Sequence, residues 1–290
     1  MRKVNKIYKP NAAHWVGDGF LVQPLFTHMG ENRGTDPFLM LDYVAPMVFK
    51  PNLTDHPRGV GRHPHKGFET VTIAYSGEVA HKDSSGGGGV IRAGDVQWMT
   101  AGAGIVHEEF HSQDFRASGG LFEIVQLWVN LPSRYKNTPP KYQHLSRENI
   151  PVVKFADGAG QARVIAGEFE GVQGAANTFT PINVWDVTIN SLKEASINVP
   201  ATHTLFIVVL RGEVTFNGSE SASEARLVNF EVNGGEVKVK AGKEDAKILL
   251  LSGEPINEPV VGYGPFVMNT RDEIRQAIED YNSGKFGDIS

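Results

Sequence analysis

The chain has 290 residues, with 28 lysines and arginines against 33 aspartates and glutamates, which gives a formal charge of -5. Its length is enough for two domains, and the absence of a basic block argues against direct binding to nucleic acid or to an anionic membrane. With no cysteine, the chain has neither disulfides nor thiol chemistry. Because no signal-peptide-like or membrane-spanning segment stands out, we expect a cytoplasmic protein, or a nuclear one if the source is eukaryotic.

The first half of the chain carries an all-β pattern. Over residues 20–129, short apolar runs alternate with Gly, Pro and Asp turns. The polar, proline-bearing stretch 131–150 predicts a crossing between domains. We therefore predict an N-terminal domain over residues 1–134 and a C-terminal domain over residues 135–290.

Two short sequence motifs in the first half of the chain place metal-binding side chains on alternate residues. They are His63-Pro64-His65 and His107-Glu108-Glu109. In an extended strand, residues i and i+2 point to the same face. If the two strands face each other inside a small barrel, three imidazoles and one carboxylate surround one point. Such a set suits a redox-capable divalent ion such as Fe(II) and leaves coordination positions open.

The second half repeats part of the first. The segment from Val71 to Val79 and the segment from Phe206 to Val214 are both apolar runs that turn at Gly-Glu-Val. This similarity indicates a duplicated barrel. Carried over at the same offset, the histidine positions of the first half fall on residues without an imidazole, so we predict one metal per chain and none in the second barrel.

A helix is predicted at the C-terminal end, over residues 270–283. Thr270 and Glu273 form a capping box, and Gly284 is placed to end the helix. Ile274, Ala277, Ile278 and Tyr281 share one face. We expect this apolar stripe to pack on a barrel.

Three longer sequence segments resemble motifs of the pirin family, which belongs to the cupin superfamily. They are HPHKGFETV at residues 63–71, GDVQWMTAGAGIVHEE at residues 94–109, and GEPINEPVVGYGPFVMNT at residues 253–270. The order of the motifs and the chain length agree as well, so the resemblance covers essentially the whole chain. It implies an all-β fold of two cupin barrels, a bicupin, with a short C-terminal α-helix.

The resemblance also assigns roles to residues of the motifs. It implies that His63, His65, His107 and Glu109 bind the metal, most simply Fe(II), because pirins use the His-x-Glu of the second motif. Glu69 matches the glutamate ligand of many other cupins. Its tight spacing after His65 indicates instead that it orients a ligand without touching the ion.

The activity implied by the resemblance is that of a quercetin 2,3-dioxygenase. A flavonol such as quercetin would bind with O2, Glu109 would take the proton of the 3-hydroxyl, and the ring would open with loss of carbon monoxide. We therefore favour an oxidoreductase that acts on a flavonol-like small molecule, and we expect a monomer.

The alternative is a protein without turnover. Some pirins bind a transcription factor or a metabolic enzyme, and the redox state of the metal alters the surface they present. Both hypotheses use the same four ligands, so the motifs alone do not separate them. A cavity of substrate size that reaches the metal, together with oxygen consumption, would favour the enzyme.

Overall fold

The computed structural model describes residues 1–29 and 34–289. The chain forms two compact units, each built from strands. The N-terminal barrel consists of Ala12–Arg33, Phe38–Arg147 and Ile256–Ser290, and the C-terminal barrel consists of Met1–Asn11, Gly34–Pro37 and Glu148–Pro255.

The regular elements are short and mostly extended. Up to residue 145 they are β1 (Val4–Tyr8), β2 (His14–Val16), β3 (Phe20–Thr27), β4 (Phe38–Phe49), β5 (Gly59–His65), β6 (Phe68–Ser76), β7 (Val79–Asp83), β8 (Gly88–Ile91), β9 (Val96–Thr100), β10 (Ile105–His111), α1 (Gln113–Ser118), β11 (Gly120–Asn130), a 3-10 turn (Ser133–Tyr135) and β12 (Lys141–Leu145).

The later elements are β13 (Val152–Lys154), a 3-10 turn (Ala156–Gly158), β14 (Gly160–Ala166), β15 (Glu168–Phe169), β16 (Val172–Gln173), β17 (Ile182–Ile189), β18 (Glu194–Asn198), β19 (Thr204–Arg211), β20 (Val214–Phe216), β21 (Glu220–Ala222), β22 (Arg226–Phe230), β23 (Glu236–Ala241), β24 (Ala246–Gly253), β25 (Val261–Tyr263), β26 (Phe266–Met268) and α2 (Arg271–Asn282). Neither α-helix in the described part of the chain is long and apolar enough to cross a membrane.

The N-terminal barrel is made of two antiparallel sheets. One has the strand order β12-β9-β6-β11-β4-β3-β2 and the other has the order β5-β10-β7-β8. Strand β6, third from one edge of the larger sheet, is buried along most of its length, as expected for a strand with the nearly continuous apolar run Val71 to Ala74. The interior between the sheets is where the candidate site lies.

The C-terminal barrel repeats this topology. Its sheets have the orders β1-β22-β19-β24-β17-β14-β13 and β18-β23-β20-β21. Strand β19 occupies the place that β6 has in the other barrel, third from one edge, as the internal repeat predicts. The two-barrel, all-β fold with a short C-terminal helix is therefore confirmed.

The two ends of the chain belong to units other than the predicted ones. Strand β1 pairs with β22, with Val4 opposite Phe230, and so completes the C-terminal barrel. The segment Ile256–Ser290, which includes α2, belongs to the N-terminal barrel. The structure thus divides the chain differently from the boundary predicted after residue 134, because strand pairing joins segments that are far apart in sequence.

Helix α2 begins and packs as its sequence predicts. The Thr270 side chain accepts a hydrogen bond from the backbone N–H of Glu273, and the Glu273 carboxylate accepts one from the backbone N–H of Thr270. Ile274 and Ala277 are buried. Together with β26 and Val106 of β10 they form an apolar cluster of the N-terminal barrel.

Candidate metal centre

Strands β5 and β10 bring three imidazoles together inside the N-terminal barrel. The two strands are antiparallel neighbours, and His107 lies directly opposite His63. The ring centroids are 4.2 Å apart for His63 and His107, 4.8 Å for His65 and His107, and 4.9 Å for His63 and His65. One nitrogen from each ring lies within 4.8 Å of the others, so the three residues could hold one metal ion.

Strand alternation decides which glutamate of β10 faces the interior. His107 and Glu109 are buried, whereas the side chain of Glu108 points to the opposite face, where its carboxylate lies 3.8 Å from Arg62. On β5 the register shifts between the partners of His107 and Glu109, so that Glu109 pairs with Val60. The extra residue of this bulge lies on β5, which leaves the alternation of β10 intact.

The position of His65 is fixed by the turn that follows it. Gly67 has a φ of 89°, and a Cβ at this position would come within 2.0 Å of the Val267 carbonyl oxygen. The buried Lys136 ammonium donates hydrogen bonds to the carbonyl oxygens of Gly67 and Val267, at 2.9 Å each. Only glycine fits this left-handed turn against a neighbouring backbone, which explains the glycine two residues after His65.

Two imidazoles of the cluster, those of His65 and His107, are in the neutral state that binds metals. Burial, followed by the neighbouring imidazoles, lowers the pKa of His65 and of His107 well below the ordinary value of 6.5. Both rings are therefore neutral at physiological pH and keep a lone pair. His107 Nε2 is buried and has no hydrogen-bond partner among the described residues. A buried nitrogen without a partner is costly in a folded protein, and a bound cation would satisfy it. The site fits a metal.

A chain of hydrogen bonds behind His107 directs this lone pair. His81 Nε2 lies 2.9 Å from Asp83 Oδ2, and His81 Nδ1 lies 3.3 Å from His107 Nδ1. If His81 Nε2 donates to the carboxylate, His81 Nδ1 can accept hydrogen bonds from His107 Nδ1 and from Gln97 Nε2, which also lies 3.3 Å away. A proton on His107 Nδ1 would leave His107 Nε2 free to bind an ion.

Asp83 is itself held by the hairpin between β7 and β8. Its Oδ1 accepts hydrogen bonds from Ser85 N at 2.8 Å, Ser85 Oγ at 2.6 Å and Gly87 N at 3.0 Å. Burial alone would raise the pKa of Asp83, but the hydrogen bonds from His81 and Ser85 outweigh it and lower the pKa. The glycine-rich turn therefore stabilises a charged carboxylate behind the imidazole cluster.

Glu109 lies beside the cluster and has its own anchors. Its Oε1 accepts a hydrogen bond from Gln97 Nε2 at 2.9 Å and lies 3.4 Å from the Thr72 hydroxyl. One of its oxygens is within 4.8 Å of ring nitrogens of His81 and His107. The structure thus groups Glu109 with these two histidines, next to the cluster that His63 and His65 share with His107.

Glu69 is buried in the same barrel but contacts other residues. It accepts a hydrogen bond from the Thr100 hydroxyl at 2.7 Å. Burial raises the pKa of Glu69 to about 7. None of the hydrogen bonds in the described part of the chain joins Glu69 to His63, His65 or His107. The contact expected to orient a ligand is made by His81 instead.

The sequence predicts no role for His81 or for Asp83. The signal that would have found them is the same alternation that identified the ligands, because His81 and Asp83 are i and i+2 on β7. Strand β7 is the other neighbour of β10, with Asp83 opposite His107. His81 and Asp83 lie outside the three segments that resemble the pirin motifs, so their alternation had no second signal beside it.

We expect Asp83→Asn to weaken metal binding by about 10- to 100-fold, the usual effect of removing a group that orients a ligand. An asparagine amide can donate a hydrogen bond to His81 Nε2. The His81 proton would then move to Nδ1, where it would repel a proton on His107 Nδ1. Equilibrium competition with a chelator measures the change. Lys82→Met is the control, because Lys82 is exposed on the other face of β7. Equal affinity of Asp83→Asn and the wild type would contradict the chain of hydrogen bonds.

A cavity of about 440 Å³ in the N-terminal barrel reaches this cluster. His63, His65 and Glu109 line it at one place, and most of the remaining wall is apolar. Trp128 also lines it and packs edge to face on His65, with ring centroids 5.3 Å apart. This volume and apolar lining are typical of sites for small-molecule ligands.

Two cupin-type barrels, one of which carries a cluster of imidazoles facing a cavity, define a two-domain cupin. Family models described as pirin and as the pirin C-terminal cupin domain match residues 19–129 and 184–287 of the chain. The chain belongs to the pirin family.

Relatives with similar sequences are found in bacteria and plants. A Pseudomonas aeruginosa protein named "Putative quercetin 2,3-dioxygenase" is 50% identical over 286 residues and covers 99% of each chain. A pirin-like protein of Solanum lycopersicum is 40% identical over 274 residues, which are 93% of this chain and 88% of the relative. A crystal structure described as quercetin 2,3-dioxygenase from Acinetobacter baumannii is 52% identical, covers 100% of both chains and superposes with a TM-score of 0.95.

Proposed function

We propose that the protein is an iron(II)-dependent dioxygenase that opens the ring of a flavonol such as quercetin with O2. The observation that carries the proposal is the apolar cavity that ends at His63, His65 and Glu109. A regulatory protein that presents only its outer surface would not need an apolar cavity at its metal ligands. The names of the bacterial relatives support the same activity.

The proposed metal ligands are His63, His65, His107 and Glu109. Three imidazoles and one carboxylate suit a divalent transition ion, and iron(II) is the ion proposed because the reaction needs one that exchanges electrons readily. When bound, such an ion would bring the oxygen atoms of a flavonol and O2 to adjacent positions and pass electrons between them.

Glu109 is the proposed general base. The 3-hydroxyl of a flavonol must lose its proton before the ring can react with O2, and Glu109 is the carboxylate that lines the cavity beside the imidazoles. The hydrogen bond from Gln97 Nε2 holds one carboxylate oxygen in place. Gln97 is in turn positioned by the hydroxyl of Tyr142, which donates to Gln97 Oε1 at 3.4 Å. The base is therefore oriented before the substrate arrives.

The apolar walls of the cavity hold the flat rings and exclude water. Trp128 packs against Phe68 at a centroid distance of 4.3 Å, with the two rings tilted by 32°, and so presents a fixed aromatic face to the cavity. Phe20 and Ile124 line it from other strands. Exclusion of water protects a deprotonated flavonol from reprotonation and from side reactions.

The test is oxygen consumption by protein purified and loaded with iron(II) under anaerobic conditions. We expect O2 uptake when quercetin is added, together with loss of the flavonol absorption band. Protein kept free of metal should do neither. No uptake by fully loaded protein across several flavonols would reject the enzyme and favour a metal-dependent regulatory role.

A further inference from the structure

A carboxyl group lies in the wall of the cavity apart from the metal cluster. Asp42 is on β4 between Met40 and Val44, which line the cavity with it, and its side chain is only 8% exposed. Among the described residues, no group donates a hydrogen bond to the Asp42 carboxylate. Burial raises its pKa to about 6, and the charge of His14 at the cavity lining opposes this rise.

Burying a carboxyl group without a hydrogen-bond donor costs free energy, and packing alone does not require an aspartate at this position. Moving an ionised carboxylate into an apolar space costs several kcal/mol unless hydrogen bonds replace its water. A leucine at residue 42 would fill the same wall and would continue the apolar pattern of Met40 and Val44. At neutral pH the group is mostly ionised, so it can only accept hydrogen bonds. It is suited to a ligand that donates one.

Strand register connects Asp42 to the candidate base. Asp42 lies opposite Gln126, and Gln126 lies opposite Thr72 on the next strand. The Thr72 hydroxyl donates to Gln126 Oε1 at 2.8 Å and lies 3.4 Å from Glu109 Oε1. A polar row thus crosses the wall from Asp42 to Glu109. Since adjacent strands are about 4.8 Å apart, Asp42 lies roughly 10 Å along the wall from Thr72.

We propose that Asp42 determines substrate specificity by accepting a hydrogen bond from a substrate hydroxyl at the end of the molecule remote from the metal cluster. The preferred substrates would be flat aromatic compounds with two separated polar ends. One end carries the hydroxyl that meets Glu109, and the other carries a second hydroxyl that meets Asp42. This inference rests on the proposed function for the orientation of the substrate and extends it to the far end of the cavity.

The experiment compares two flavonols that differ only at the remote end. 3-Hydroxyflavone has the reacting hydroxyl alone, and 3,4′-dihydroxyflavone adds one hydroxyl at the far tip of the phenyl ring. For the wild type we expect kcat/KM to be about 10- to 100-fold higher for the dihydroxy compound, the value of a hydrogen bond to a charged acceptor. Asp42→Leu should bring the two values within about twofold by lowering the value for the dihydroxy compound. Asp42→Asn, which keeps an oxygen acceptor without the charge, should give an intermediate ratio.

Anaerobic binding of the same two flavonols separates this inference from the proposed function. If the wild type turns over neither compound, the proposed function fails, while the affinity ratio still tests Asp42. Val48→Ala is the control, because Val48 is exposed on the same strand, and thermal melting checks that each variant is folded. A ratio in Asp42→Leu equal to that of the wild type, or an equal loss for both flavonols, would overturn the inference.

Discussion

His107→Ala should remove nearly all bound metal and leave the protein folded. His107 is fully buried, its ring contacts those of His63, His65 and His81, and its Nε2 has no partner among the described residues. Its loss should weaken metal binding by at least about 100-fold, more than the loss of a group that only orients a ligand. The barrel should survive, because its apolar core does not depend on one ion as a zinc finger does.

Elemental analysis after anaerobic loading measures this effect, and circular dichroism checks the fold. We expect one metal ion per wild-type chain. Glu108→Ala is the matched control on the same strand, since its partner Arg62 lies on the outer face and an exposed ion pair contributes little. If Glu108→Ala lost the metal and His107→Ala kept it, the assignment of strand faces would be wrong. Two tightly bound ions per chain would contradict a single site.

Glu109→Gln should impair turnover much more than it impairs metal binding. Glutamine keeps an oxygen that can contact a cation and can accept the hydrogen bond from Gln97, but it cannot take the proton of a flavonol hydroxyl. Loss of a general base typically lowers kcat by about 10²- to 10⁴-fold. Metal affinity should fall by less than the catalytic rate.

The measurement is kcat for quercetin at full iron occupancy, with the metal dissociation constant determined in parallel. Glu108→Gln makes the same chemical change one residue away and serves as the control. If Glu109→Gln and the wild type turned over quercetin equally fast, the proposed activity would stand, but Glu109 would not be the general base. If Glu109→Gln lost metal in proportion to its loss of activity, Glu109 would be a metal ligand and not the general base.

The parts of the site that lie close together in sequence could be predicted. His63 and His65 share a strand, as do His107 and Glu109, and strand alternation is enough to place each pair on one face. The capping box at Thr270 likewise depends on local hydrogen bonds. Such signals need no knowledge of which strands pair.

The parts that depend on distant pairing could not be predicted. Asp42 and Trp128 reach the cavity from strands whose neighbours are fixed only by the complete sheet order. The same holds for β1, whose partner strand is more than half the chain away, and which therefore fell in the wrong unit. Glu69 is four residues from His65, yet its hydrogen bonds go to the neighbouring strand at Thr100. Proximity in sequence was a poor guide to contact there.

The most direct test of the account is the stoichiometry of a single reaction in a sealed vessel. Iron-loaded protein, quercetin and O2 are mixed, and the quercetin consumed, the O2 consumed and the carbon monoxide released are measured together. The account predicts equal amounts of all three, and no reaction with His107→Ala. Oxygen consumption without carbon monoxide, or an equal rate with His107→Ala, would contradict ring opening of a flavonol at the imidazole cluster.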